Sequence, residues 1–362
     1  MLFQPAIIAL LLASSVSVAL LASVAPFAWE LVRQWDISSG SEHQLRLERR
    51  TYLMSTLLTF VFATQLVALL LFVFNADKMA VMFVGAMCAV GTLNANAFGF
   101  PALIAQIVVF FLAAVWLVIN HADNRAYDYP LVRVKYRLLL GILPFVALAF
   151  ALQLEYFLNL KADVITSCCG SLFSGDAKTL TGELSALPPR QALALFYGAL
   201  ALAVASAVFH VVSHRPHPQG VHSPDADLLK THTAEREGQV ARTGSGYFVA
   251  ASSAIAFVAA LIGMLSFVSL YVYEHPHHHC PFCLLKPEYD YQGYWLYLPL
   301  FAATAAGLGV GAVQPFARIA SLTGIVPEIA HRLSWIAAIG YLVFAAVATL
   351  MIVNSNLILL EG

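Results

Sequence analysis

The sequence predicts an all-α polytopic membrane helix bundle of about eight transmembrane helices plus one re-entrant or broken helix. Three observations carry this. Hydrophobic residues make up 60% of the 362 positions and charged residues only 11%. Mean hydropathy is +0.79, far from the balance of a soluble domain. The apolar residues also fall into runs of roughly 20 or more, the length needed to cross a bilayer. Such runs occupy the whole chain, which leaves one integral membrane domain over 1–362 and no soluble domain of useful size. Neither composition nor charge pattern points to nucleic acid; the surroundings are membrane lipid.

The first run, 6–31, has no Lys or Arg before it and is too long for a signal core, so it reads as a retained helix. Residues 41–50 carry three arginines in a helical composition and predict a short helix on the membrane surface, leading into a span at 53–75. Residues 79–101 are apolar but interrupted by Gly85, Cys88, Gly91, Asn94, Asn96 and Gly99 and closed by Pro101. A lipid-facing helix would expose those amides, so this piece is predicted to be re-entrant or half-helical; a true span inside the bundle is the alternative. Cys88 has no neighbouring partner in sequence and reads as a small core residue. Further spans follow at 102–120, 138–160, 191–212, 247–273, 294–316 and 333–359. Residues 213–246 are rich in His, Pro, Gly and charge and predict a mobile cytoplasmic loop.

Charge placement gives an orientation. With 79–101 not crossing, 14 of the 19 Lys and Arg residues lie in odd-numbered linkers, among them Arg33, Arg125, Lys135 and Arg236. The positive-inside rule then predicts a cell inner membrane with both termini extracytoplasmic. The outer face receives the loops 161–190 and 274–293. They carry Cys168, Cys169, Cys280 and Cys283, in a compartment where disulfides persist.

The richest chemistry lies in His275-Pro-His-His-His-Cys-Pro-Phe-Cys-Leu-Leu-Lys286, which holds four of the 12 histidines and two of the 5 cysteines. Three chemistries compete for these sulfurs. Thiol–disulfide electron transfer would use Cys280, Cys283, Cys168 and Cys169 as catalytic residues, with the His cluster favouring a Cys280 thiolate and a periplasmic thiol protein as partner. A soft-metal (Zn or Cu) transporter or metal-loading factor would take ligands from His275, His277, His278, His279, Cys280 and Cys283. A structural membrane subunit, alone or in a membrane complex, would merely staple its outer loops with disulfides. Covalent haem is not indicated, because Leu284 and not His follows Cys283.

The layout resembles the quinone-linked membrane thiol oxidases of the disulfide-bond-B and vitamin K epoxide reductase type. The resemblance rests on Cys280, Pro281 and Cys283 at a helix end and on a second cysteine pair on a loop of the same face. It implies a quinone as electron acceptor. Two departures stand: about twice the number of helices, and a vicinal second pair whose Cα spacing of about 3.8 Å is short for a disulfide, so that a bond between the loops is expected instead. Glu155, near the outer end of its span, with Asn94, Asn96 and Gln106, would line a cofactor cavity. Tyr289, Tyr291, Tyr294, Trp295 and Tyr297 predict an interfacial anchor that holds Cys283 near the membrane surface.

Overall fold

A computed structural model describes residues 4–37, 39–161, 166, 189–213, 231–276 and 278–357, with the backbone alone at 189 and 231–243. Among the described residues there are helices and no strands, and eight helices are long and apolar enough to span a membrane. The elements are α1 (Pro5–Gln34), α2 (Glu42–Met79), α3 (Ala89–Leu93), α4 (Gly99–Arg125) and α5 (Val132–Leu158). After them come α6 (Pro189–Ser213), α7 (Thr231–Gly263), α8 (Ser269–Tyr273), α9 (Gln292–Val313) and α10 (Ile325–Val353). Large apolar side chains such as Leu12, Phe60, Ile104, Phe209 and Leu350 are exposed on these helices, and in a membrane that exposure becomes lipid contact.

Several boundaries differ from the expectation, each for a local reason. The surface helix expected at 41–50 and the span after it form one 38-residue helix. Ser41 caps its start by accepting a hydrogen bond from Gln44 N (3.2 Å), and no Gly or Pro breaks the chain before Met79. Residues 80–98 do not form a span. They fold as a single turn at Ala80–Met82 and the five-residue α3, as the glycines and amides require. Gly85 stands at φ 85°, where a Cβ would also collide with the Thr166 carbonyl. Helix α7 begins at Thr231, inside the segment expected as a loop; residues 214–230 of that loop lie outside the described residues.

The helices pack as two rings of four. In the first, α1 touches α2 and α5, and α4 touches the same two helices. In the second, α6 touches α7 and α10, and α9 touches the same two. The order of contact is therefore the same in both rings, and α4 against α9 makes the main seam between them. Phe111, Phe257 and Phe301 cluster at this seam, with Phe111 and Phe301 stacked at 5.6 Å.

Two polar networks sit inside the first ring. Lys135 and Asp123 are both fully buried and pair at 2.7 Å. The ammonium also donates to Asn120 Oδ1 (3.1 Å) and Ser55 Oγ (3.3 Å), while Asp123 Oδ1 accepts from Leu131 N (2.7 Å). One buried charge is thus matched by the other, and the connection between α4 and α5 is fixed to α2. Towards the other end of the ring, Gln153 Oε1 accepts from Ser14 Oγ (3.0 Å) and Gln106 Nε2 (3.2 Å) beside a small cavity that Gln65 also lines.

Candidate functional site

Each ring has its second interhelical connection on the same end of the bundle: residues 80–98 between α2 and α4, and residues 274–291 between α8 and α9. These two connections meet. Cys88 Sγ lies 3.2 Å from Cys280 Sγ, and the sulfurs of Cys88, Cys280 and Cys283 all fall within 4.8 Å of one another. None of the three is in a disulfide. All are buried, at 0%, 2% and 6% exposure, with Val90 beside them and Phe100, Phe282 and Tyr289 packed around.

The local fold explains why the sulfurs converge. Two tyrosines clamp the turn that carries the C-x-x-C: Tyr273 OH donates to Cys280 O (2.6 Å) and Tyr297 OH to Pro281 O (2.8 Å). Cys283 then opens a single helical turn, Cys283–Leu285, which bends the chain back towards the cluster. On the other side Cys88 immediately precedes α3, and its carbonyl accepts from Gly91 N (3.0 Å). Tyr297 therefore touches the site directly, through a hydrogen bond to its backbone.

Electrostatically the turn favours a neutral thiol at Cys280. The hydrogen bond with Cys283 pushes the Cys280 thiol well above its ordinary range; Cys88 opposes this, and burial adds to it. His278 does not supply a compensating charge: burial and its neighbours His275 and His279 lower its pKa.

The remaining candidates divide clearly. His275 is exposed; His278 stacks on Tyr273 with ring centroids 4.1 Å apart; His279 Nδ1 meets Leu265 O at 2.8 Å. None of these three imidazoles joins the three-sulfur group. Cys168, Cys169 and His277 lie outside the described residues. Thr166 is described, buried, and docked on the Cys88 connection through Thr166 N to Val84 O (3.0 Å). Glu155 is exposed and accepts from Asn159 Nδ2 (3.1 Å). Asn94 is exposed, Asn96 bonds the Tyr156 carbonyl (2.9 Å), and Gln106 belongs to the buried Gln153 network. No hydrogen bond joins these four into one cavity.

Cys88 is the residue that sequence reasoning placed in the core and the structure places in the site. The available signal was indirect: a cysteine in a broken, glycine-rich stretch whose ends share a face with the C-x-x-C. Comparison with known protein families, with curated proteins and with solved structures gives no match to this chain.

Proposed function

We propose that this protein handles a soft cation, Cu(I) or Zn(II), at a thiolate site on the extracytoplasmic face of the inner membrane, as a transporter or a metal-loading factor. The observation that carries the reading is the convergence of three buried sulfurs from two distant connections. Thiolates are the donors that select Cu(I) and Zn(II) over harder ions. A buried neutral thiol is a poor nucleophile, but a bound cation supplies the positive charge that its deprotonation needs. A tetrahedral Zn(II) would require a fourth ligand. The outer placement follows from the basic residues, whose asymmetry survives the removal of the buried Lys135 from the count.

A second reading, thiol–disulfide electron transfer, is favoured by one observation, the 3.2 Å approach of Cys88 to the first cysteine of a C-x-x-C. There, two thiols would lose two protons and two electrons to an acceptor of the quinone class, giving one disulfide and a hydroquinone. The third sulfur would then exchange with that bond. Metal analysis of purified protein, paired with a thiol count before and after reduction, separates the two. Stoichiometric Zn or Cu on unmodified thiols is expected. Metal-free protein with a reducible bond among Cys88, Cys280 and Cys283 would overturn the metal reading and leave the redox one.

A further inference from the structure

We infer that the first ring binds one water molecule at its centre, held by Gln65, Gln106 and Gln153, and that this water joins α2 to α5 across the ring. The inference stands apart from the metal reading above. Each helix of the ring sends one polar side chain to the same small cavity: Ser14 from α1, Gln65 from α2, Gln106 from α4 and Gln153 from α5. They are deeply buried, at 7%, 8%, 7% and 1% exposure respectively. Amides in such a place are costly unless matched, because the surrounding lipid offers them no partner. The protein matches them only in part. Gln153 Oε1 accepts from Ser14 Oγ (3.0 Å) and Gln106 Nε2 (3.2 Å), which links α1, α4 and α5. Three buried atoms have no hydrogen-bond partner among the described residues: Gln65 Nε2, Gln106 Oε1 and Gln153 Nε2.

Those three atoms select the ligand. An amide nitrogen can only donate and an amide oxygen can only accept. A bare cation would face two donors and an anion would face an acceptor, so neither suits the set. A water accepts from both nitrogens and donates to Gln106 Oε1. Turning the Gln106 and Gln153 amides over together exchanges their roles but leaves the same two donors and one acceptor. The cavity offers about 10 Å³ to the centre of such a molecule, which is room for one water and nothing larger.

The position gives this water a task. Helices α2 and α5 lie diagonally across the ring, and Gln65 reaches Gln153 through the water. One turn further along α5, Tyr156 clasps the connection 80–98: its carbonyl accepts from Asn96 Nδ2 (2.9 Å) and its hydroxyl donates to Thr92 O (3.2 Å). Helix α2 ends at Met79, where that same connection begins. The water therefore ties the helix that leads into the Cys88 connection to the helix that clasps it.

The test is radiolytic labelling of the full-length protein in lipid nanodiscs equilibrated with oxygen-18 water. X-rays split a bound water, and the hydroxyl radical marks the nearest side chain. Phe150 lines the cavity, and the exposed Phe145 on the same helix is the control. The expected result is oxygen-18 on Phe150 and none on Phe145, with the Phe150 label lost in Gln65→Leu and in Gln106→Leu. An unlabelled Phe150 in the wild-type chain would overturn the inference, and so would a label that persists in both variants or marks Phe145 equally. A density map of the wild-type protein is independent of whether the variants fold. It should show a peak within about 3.2 Å of all three amide atoms; a map that resolves other buried waters but not this one would also overturn the inference.

Discussion

Oxidation of the metal-stripped protein offers a quantitative test of the sulfur geometry. With Cys168→Ser and Cys169→Ser in place, a mild oxidant can form a bond from Cys280 either to Cys283 or to Cys88. The Cys88 and Cys280 sulfurs are 3.2 Å apart, so they need approach by only about 1.2 Å to reach a bonded length. The two products differ greatly in how much chain they close. Residues 88 and 280 are separated by 192 positions, for which the chain-entropy relation gives about 5 kcal/mol of stabilisation. The C-x-x-C closes a loop of about four residues and gives about 2 kcal/mol by the same relation. The gap of about 3 kcal/mol corresponds to roughly a hundredfold in the unfolding equilibrium. Peptide mapping identifies the bond, and SDS titration followed by far-UV circular dichroism measures the gap against a Cys88→Ser control. Recovery of only the 280–283 bond, with Cys88 fully open to alkylation in folded protein, would refute the placement of Cys88 in the cluster.

Other expectations are more direct. Asp123→Asn should cost about 3–5 kcal/mol by stranding the buried Lys135 ammonium. Adding Lys135→Met should recover most of that loss in SDS unfolding, and a single-variant cost below about 1 kcal/mol would show that the pair is not buried. Gln153→Leu should cost about 1–3 kcal/mol, because Ser14 and Gln106 lose their shared acceptor. The raised Cys280 pKa means that the native state holds this proton more tightly than the unfolded chain does. Its contribution is complete below the ordinary thiol value of 9.0 and is lost as pH rises above it. Metal-free protein should therefore lose stability above about pH 9 while the metal-loaded protein does not; thermal unfolding with and without Zn(II) checks this, and a flat metal-free profile would contradict it. A reporter fused after Arg236 should lie in the cytoplasm, and labelling there by a membrane-impermeant reagent would invert the proposed orientation.

What could be read beforehand follows from the range of each interaction. Spans are local: runs such as 102–120 are legible because crossing a bilayer imposes a length and an apolar composition on consecutive residues, and α4 contains that run whole. The break at 80–98 was legible too, since glycines and amides act on their own backbone. Helix ends were less so; α2 and α7 extend well past their apolar parts because polar residues outside the hydrocarbon can still be good helix formers. Lys135 read as one of several inner-face charges, and only the fold reveals that Asp123 buries with it. Of the site, the C-x-x-C was visible, but Cys88 was not, because its partner is 192 residues away and no periodicity links them.

The meeting of the two connections also sets an order of events during synthesis. At roughly 5–20 residues per second, the ribosome needs on the order of 10–40 s to travel from residue 88 to residue 280. Throughout that interval the first ring is complete enough to insert, yet Cys88 lacks the two sulfurs, Cys280 and Cys283, that the folded protein places beside it. The three-sulfur cluster can close only when the second ring has inserted in the same orientation and docked along α4 and α9. Closure of the cluster would thus mark a finished molecule, and a chain truncated before α9, or inserted with one ring inverted, would remain permanently unable to form it.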